Sequence, residues 1–476
     1  MNSIKKMHTK ILFLFMALPA LLWSQGDNNR LVAQFDSLVN KAYEKGLFSG
    51  NLLVANRQGI VYQTSVGYED IAAQKKNNAN TAFQIGSISK MFTKIIILQL
   101  AAENKLHLSD KLGKYLQGFP KAMAASISIQ QLMDHTSGLG DYTQEEGFMQ
   151  RMPAIESVSD ILPLIQQSEL LYAPGSGKKY SNSGYVLLAA IAEKISGKKF
   201  GTIVKERIFD VIGMRESGFN TFVTKQPGKA VGYVSNQPGP LRDNFFIHII
   251  GAGDGGIYAS TGDLLKFMES FVNDQKLLSD ADKLLLLNTP LFPVSYTSWD
   301  DFLQRGRMAL SGGAPGISAV ISFNMEMKTY QIVLSNFDEG SAESINQRLN
   351  MIWANKTPTP FRLPPSRFIY SLIKEKGGDY FSANYQKELA EAGIEMDDDM
   401  IFLFAGEQLL QEKNADAAIA LFQVYTKEFP NIIVAWNDLG DAYRLINNKD
   451  AARNCYLKVL QMRPANERAK RALEKL

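Results

Sequence analysis

Cysteine and histidine are scarce in this chain of 476 residues. The only cysteine is Cys455, so an intramolecular disulfide is excluded in any redox compartment. The four histidines are far apart, without the i, i+4 spacing of a helical metal site: His8, His107, His135 and His248. We therefore expect neither a histidine-rich metal site nor an organic cofactor.

Long runs of one charge are also absent. The formal net charge is only +3, and charged residues make up 21% of the chain, an ordinary share for a soluble globular protein. Nothing in this pattern indicates a nucleic acid or another polyanion as a partner.

The longest apolar run is too short to span a bilayer comfortably. It covers residues 11–23, follows three lysines and precedes the small residue Ser24. This order predicts a secretory signal peptide over residues 1–24, cleaved near Ser24–Gln25, and export to the periplasm or the medium with no stable membrane span. An uncleaved membrane anchor is the alternative.

Residues 30–355 mix strand and helix patterns. Segments 51–56 and 59–67 are predicted to form a hairpin, as are 316–324 and 329–337. Between the two hairpins lie mostly helical patterns, among them 89–103 and 184–196. Helices inserted between strands of an antiparallel sheet indicate an α+β domain with a helical subdomain.

The end of the chain changes character. Residues 356–366 contain four prolines and are predicted to be a linker. Beyond it, five residues recur 34 positions later: Phe402/Trp436, Gly406/Gly440, Ala418/Ala452, Phe422/Tyr456 and Pro430/Pro464. This period resembles tetratricopeptide repeats, so residues 367–476 are expected to form an all-helical domain that could recruit a protein partner. Segment 367–392 could be a degenerate first repeat, or the array could dock on the front domain.

The stretch FQIGSISK, residues 83–90, contains a candidate nucleophile. Ser87 precedes an apolar helical run, and Lys90 follows three residues later on the same helical face. A serine at a helix N-terminus has unpaired amides beside it, and a lysine in a closed pocket can accept a proton. The spacing alone decides nothing, because Ser-x-x-Lys occurs five times here and Ser87 could simply cap the helix.

Two further segments support the chemical interpretation. Tyr180-Ser181-Asn182 is the only Tyr-x-Asn in the chain and follows a Pro-Gly turn. SGGAPG, residues 311–316, places glycines before a predicted strand, where the backbone can approach a ligand and the Ala314 amide could complete an oxyanion hole. The alternatives are a turn with a packed Tyr180, in which Asn182 or Ser183 caps the next helix, and an ordinary glycine-rich strand entry.

The ordered trio of Ser-x-x-Lys, Tyr-x-Asn and a glycine-rich strand entry resembles the serine β-lactamase and penicillin-binding protein superfamily. Within it, the resemblance is strongest to class C β-lactamases and related D-alanyl-peptide hydrolases and esterases. LMDHTSGL (132–139) and GAGDGGIYASTGDLLKF (251–267) are also similar to segments of that group. The resemblance covers roughly residues 30–355. It implies that Ser87 is the acylated nucleophile and that Lys90 and Tyr180 act as general base and general acid. It also implies that Asn182 orients the substrate and that the amides of Ser87 and Ala314 bind the oxyanion.

One departure from the family concerns the third motif, Ser311 to Gly313, which usually opens with Lys or His. A hydroxyl at Ser311 carries no charge, and losing a charged hydrogen bond to a substrate carboxylate costs about 1.5–3 kcal/mol. Arg305 and Arg307 lie a few residues upstream and could supply the charge.

The sequence therefore predicts an exported serine hydrolase that forms an acyl-enzyme at Ser87. Its expected partner is a small-molecule or peptide substrate: a D-alanyl peptide, a β-lactam or a small ester or amide. The alternative is a catalytically weak module that binds cell-wall peptide and recruits a protein through its repeats, since function resides in sites rather than in folds.

Overall fold

A computed structural model of the chain describes residues 25–145, 148–219, 225–245, 250–290 and 294–476. The predicted signal peptide and His248 lie outside these ranges. Among the helices within them, none combines the length and the apolar character needed to cross a membrane.

The strands form one large antiparallel sheet and three small ones. Their bounds are β1 Gly50–Asn56, β2 Gly59–Val66, β3 Tyr68–Asp70, β4 Lys75–Lys76, β5 Phe83–Gln84, β6 Gly218–Phe219, β7 Tyr233–Val234, β8 Arg242–Asp243, β9 Ile257–Ala259, β10 Arg307–Ala314, β11 Ile317–Asn324 and β12 Thr329–Ser335. The large sheet has the order β10-β11-β12-β1-β2, so strands from the two ends of the front domain pair at its centre. Both predicted hairpins are confirmed.

Thirteen helices surround this sheet in the described part of the front domain. They are α1 Gln25–Glu44, α2 Ser89–Ala102, α3 Lys121–Ser126, α4 Ile129–Met133, α5 Phe148–Arg151, α6 Val158–Gln167, α7 Asn182–Ser196, α8 Phe200–Val204, α9 Asp210–Ile212, α10 Thr261–Asn273, α11 Asp280–Leu287, α12 Trp299–Arg305 and α13 Ser341–Trp353. The α+β class with a helical subdomain is confirmed.

The large sheet is buried on both faces, which explains its nearly continuous apolar strands. Leu52 and Val54 of β1 pack into the core beneath α1 and α13. Leu53 and Ala55, which point the opposite way, join the core that contains α2, α7 and α10. Because α2 is apolar on nearly every side, it lies at the centre of that second core.

Seven helices make up the C-terminal region: α14 Pro365–Lys376, α15 Gly378–Ala392, α16 Met400–Gln411, α17 Ala415–Glu428, α18 Ile433–Leu445, α19 Lys449–Met462 and α20 Glu467–Glu474. The predicted all-helical character is confirmed. The region contacts the front domain where the Arg367 guanidinium donates to the carbonyls of Gly46 (2.8 Å) and Ser235 (3.1 Å). Its identity as tetratricopeptide repeats stays a prediction.

The 34-residue period has a packing basis. A Cβ at Gly406 would lie 2.5 Å from Cε1 of Phe422, and one at Gly440 would lie 2.6 Å from Cε1 of Tyr456. Each glycine therefore accommodates the aromatic ring of the next helix, and the same contact occurs in both repeats.

We expect Gly440→Ala to lower the thermal unfolding midpoint, although alanine favours helix formation. Tyr456 is fully buried and cannot move away, and overpacking costs about 1–3 kcal/mol. Circular dichroism melts would measure the change. Gly262→Ala in α10 is the control, because its Cβ would meet no atom closer than 3.9 Å. Equal midpoints for the two variants would contradict this explanation of the repeat.

Candidate active site

Ser87 lies in a tight turn, Gly86–Ile88, that leads directly into α2. Gly86 has a φ of +49°, in the left-handed region that favours glycine. The turn therefore presents the Ser87 hydroxyl and amide at the N-terminal end of a buried helix, where the helix dipole favours negative charge.

The Ser87 hydroxyl oxygen receives two hydrogen bonds. Lys90 Nζ lies 3.0 Å from Ser87 Oγ, and Tyr180 Oη donates to the same oxygen over 2.8 Å. Tyr180 is 93 positions distant in sequence, so the fold, and not local helix geometry, assembles this group. Either Lys90 or Tyr180, in its basic form, is within reach of the serine proton.

The segment 251–267 fixes Lys90 in place. Lys90 Nζ donates to the Asp254 carbonyl (2.8 Å), and Thr93 Oγ1, one turn later, donates to the Gly253 carbonyl (2.6 Å). The Asp254 side chain accepts from Tyr142 Oη (3.0 Å), and burial raises the pKa of this carboxyl. Lys90 itself is only 6% exposed, so its ammonium is held away from bulk water.

The His135 ring packs against the Tyr180 ring. The two rings stack with centroids 4.7 Å apart and an interplanar angle of 17°. The Ser181 amide donates to His135 Nδ1 over 3.0 Å. Burial, helped by the neighbouring Lys94 and Lys90, lowers the pKa of His135 to about 3, so the imidazole is neutral at physiological pH and can accept this hydrogen bond.

Asn182 begins helix α7, two residues before the predicted start. Ser181 caps this helix by accepting from the Gly184 amide, so neither Asn182 nor Ser183 has the capping role that the sequence suggested. Asn182 Nδ2 donates to Asp141 Oδ2 over 2.7 Å. Its amide group is therefore oriented by Asp141, a contact that the sequence did not predict.

The glycine-rich segment belongs to strand β10 itself, whereas the sequence predicted a strand only from about Gly316. A Cβ on Gly312 would lie 2.5 Å from the Ser87 amide nitrogen, and a Cβ on Gly86 would lie 2.8 Å from the Gly312 carbonyl carbon. The strand edge and the nucleophile turn therefore touch backbone to backbone, which only glycine allows at both positions.

The pairing register determines toward which core each β10 side chain is directed. Leu310 and Gly312 pair with Ile321 and Ala319, which belong to the core that contains α2. Ser311 pairs with Val320, which belongs to the core on the opposite face. The register thus favours Leu310, and not Ser311, as the residue that occupies the family's Lys or His position.

The two arginines considered as substitutes for that charge are engaged elsewhere. Arg305 Nη2 donates to Asp301 Oδ2 over 2.7 Å, and Arg307 pairs with Glu326 in the turn between β11 and β12. Both guanidinium groups are exposed, and neither belongs to the described lining of the cavity.

The register also bears on the second oxyanion donor. Ala314 pairs with Ile317 across the Pro315–Gly316 turn, and the pair that closes such a hairpin exchanges its backbone hydrogen bonds. The Ala314 amide then donates its hydrogen bond to the partner strand within the sheet. The Gly313 amide points to the open edge of β10, the side on which Ser87 lies.

A cavity of about 170 Å³ opens beside Ser87. Its polar lining consists of Ser87, Lys90, Lys94, His135, Tyr180, Tyr185 and Ser311, and its apolar lining of Ile88, Met91, Leu286, Met308, Ala309 and Leu310. The structure therefore brings Ser87, Lys90, Tyr180 and the β10 edge together, while Asn182 lies outside this lining.

Four residues of this region were not predicted from the sequence as site residues: Lys94, His135, Asp254 and Leu310. His135 and Asp254 lie within the two segments that carry the family resemblance, so a signal was present. Lys94 follows Lys90 by four residues on the same helical face, and this spacing was a sequence signal that Lys94 lies near the site. Leu310 required the strand register, which the sequence did not provide.

We expect the His135 imidazole to stay neutral down to about pH 3, because burial and two nearby lysines oppose its protonation. Nitrogen-15 chemical shifts of the ring, assigned with His135→Gln, would test this. The unfolded chain takes up this proton near pH 6.5, so the contribution of His135 to stability is complete above that pH and is lost as the pH falls toward 3. A ring that titrates near pH 6.5 in the folded protein would contradict the described packing.

Comparison with known proteins agrees with this architecture. The β-lactamase family model matches residues 29–350. The chain is 31% identical over 319 residues to penicillin-binding protein 4* of Bacillus subtilis, covering 62% of this chain and 70% of that protein. A penicillin-binding protein from Bacillus halodurans superposes with a TM-score of 0.57 at 26% identity, over 66% of this chain and 99% of that one. A class C β-lactamase solved with cefoxitin shares the fold, with a TM-score of 0.54 at 19% identity, over 69% of this chain and 99% of that one. The chain belongs to the β-lactamase family.

Proposed function

We propose that the chain is a serine acyl hydrolase that forms an acyl-enzyme at Ser87 and acts on small esters or amides, D-alanyl peptides among them. The observation that supports this most strongly is the double hydrogen bond to Ser87 Oγ, from Lys90 and from Tyr180. A serine that served only as a helix cap would need neither group.

In this mechanism Ser87 Oγ attacks the substrate carbonyl carbon, and its proton passes to Lys90 or Tyr180. The developing oxyanion accepts hydrogen bonds from the amides of Ser87 and Gly313, in place of the Ala314 amide that the family resemblance implied. The same acid protonates the leaving oxygen or nitrogen. Water then attacks the acyl-enzyme with the same base, which releases the acid product and restores the serine.

The proposed substrate class depends on the third motif. Leu310 and Ser311 both line the cavity and neither carries a charge, so β10 offers no cation to a substrate carboxylate there. We therefore propose that neutral esters and amides are attacked more readily than β-lactams that are recognised through a carboxylate at that strand. Asn182, held by Asp141, is proposed to orient the substrate amide near Tyr180.

The contacts of Lys90 and Tyr180 favour the hydrolase over the alternative of an inactive binding module. A module that only held a peptide would not need a lysine kept 6% exposed and tied to Asp254, with a tyrosine stacked on a neutral histidine beside it. We propose that residues 30–355 form the hydrolase and that residues 356–366 link it to the helical region 367–476. We also propose that the predicted signal peptide, residues 1–24, directs export.

The test is ester turnover by three variants. Ser87→Ala removes the nucleophile and should abolish turnover of p-nitrophenyl butyrate. Lys90→Met and Tyr180→Phe should each lower kcat/KM about 100- to 10,000-fold, the usual range for a general acid or base. Ser371→Ala is the matched control, because it alters another Ser-x-x-Lys sequence that lies in α14.

Each outcome assigns a role. Full turnover in Tyr180→Phe or Lys90→Met would remove that residue from the mechanism, and full turnover in Ser87→Ala would overturn the proposal. Circular dichroism of each variant checks that the loss does not come from unfolding.

A further inference from the structure

The cavity beside Ser87 contains a second lysine that the mechanism does not use. Lys94 follows Lys90 by four residues on α2, so the two side chains lie on the same helical face. Lys94 is 6% exposed, and the surface it retains lines the cavity. A lysine this deeply buried is unusual unless its charge is compensated.

The described residues offer this ammonium no direct partner. Among them Lys94 makes neither a hydrogen bond nor an ion pair. The nearest opposite charge is Asp134, whose Oδ2 accepts from Gln130 Nε2 (2.7 Å) and whose Oδ1 is buried without a hydrogen bond. Burial lowers the pKa of Lys94 to about 8, and Asp134 opposes this shift, so most molecules are cationic at neutral pH.

The cavity also has an apolar part. Ile88 from the nucleophile turn, Met91 from α2, Leu286 from α11, and Met308 and Leu310 from β10 line it together with Lys94. Four helical residues advance about 6 Å along the axis. Lys90 and Lys94 are therefore about one helical turn apart, and an acyl group bound at Ser87 would share the cavity with these apolar side chains and with the Lys94 ammonium.

We propose that Lys94 is a specificity-determining residue that binds the terminal carboxylate of the acyl group, so that the preferred substrates are esters or amides of short dicarboxylic acids. This inference rests on the proposed hydrolase function. The cation that β10 lacks at Leu310 is supplied here from the helix, at the end of the acyl pocket.

Two other roles for Lys94 fit the geometry less well. Ser87 Oγ is hydrogen-bonded by Lys90 and Tyr180 and not by Lys94, so Lys94 is not a third base in this arrangement. A purely structural ion pair with Asp134 would bring the two groups into contact, whereas Asp134 Oδ1 is buried without a hydrogen-bond partner. Asp134 instead stabilises the lysine charge from a distance.

The test compares two esters of equal chain length, mono-p-nitrophenyl adipate and p-nitrophenyl hexanoate. The wild type should prefer the adipate. In the double variant Lys94→Met/Asp134→Asn, which removes both charges together, the adipate-to-hexanoate ratio of kcat/KM should fall 10- to 150-fold, the value of a hydrogen bond to a charged group. An unchanged ratio would overturn the inference.

Lys229→Met is the matched control. Lys229 is another partly buried lysine, placed over the Tyr258 ring at 4.6 Å and outside the cavity lining. Its loss should leave the ratio of the two esters unchanged. A ratio that falls equally in this variant would mean that the effect comes from the overall charge of the protein, against the proposal.

A binding measurement separates this inference from the proposed hydrolase function. Monomethyl adipate, which keeps one free carboxylate, should raise the thermal midpoint of Ser87→Ala more than the uncharged methyl hexanoate does. If neither p-nitrophenyl ester is hydrolysed by the wild type but monomethyl adipate still stabilises the protein, the hydrolase proposal fails and the lysine site stands. If both p-nitrophenyl esters are hydrolysed at equal rates and monomethyl adipate has no greater effect than methyl hexanoate, the lysine site fails and the hydrolase stands. This comparison leaves Lys94 and Asp134 in place, so it decides the question even if the double variant does not fold.

Discussion

The backbone contact between the Gly86–Ser87 turn and Gly312 is the constraint on which the rest of the site depends. It joins the N-terminus of the buried helix α2 to the outer edge of the large sheet, two elements that come from opposite ends of the front domain. A Cβ at either glycine would separate them. The contact also occupies an edge strand that would otherwise expose unpaired amides, and it directs one of those amides toward Ser87.

The charge distribution around Ser87 depends on which ionisable side chains are buried there. Two lysines, one helical turn apart, lie buried near a neutral histidine and a helix N-terminus, whose partial positive charge favours an anion. Such an arrangement suits an oxyanion that forms during acyl transfer. Because the register favours an uncharged leucine at the family's charged strand position, we infer that the charge for an anion comes from α2 and that the anion binds deeper in the cavity than the strand edge.

Much of this could be predicted from the sequence, and the remainder depended on tertiary contacts. The two hairpins, α2, α7 and the grouping of Ser87, Lys90 and Tyr180 followed from periodicity and from the family resemblance. Strand β10 was missed because glycines and a serine carry little strand propensity, and its edge position is set by pairing with β11. Without that register, the third motif was aligned on Ser311, whereas the register favours Leu310. The role of Asp141 at Asn182 and the stacking of His135 on Tyr180 likewise come from segments that meet only in the folded chain.

The central claim, that Ser87 is an activated nucleophile, is tested most directly by intact-mass analysis after exposure to a fluorophosphonate, followed by peptide mapping. We predict one covalent adduct per chain, located on Ser87. Parallel treatment with a penicillin reports whether the same serine also opens a β-lactam. An unmodified chain after the fluorophosphonate, or an adduct on a different serine, would contradict the account.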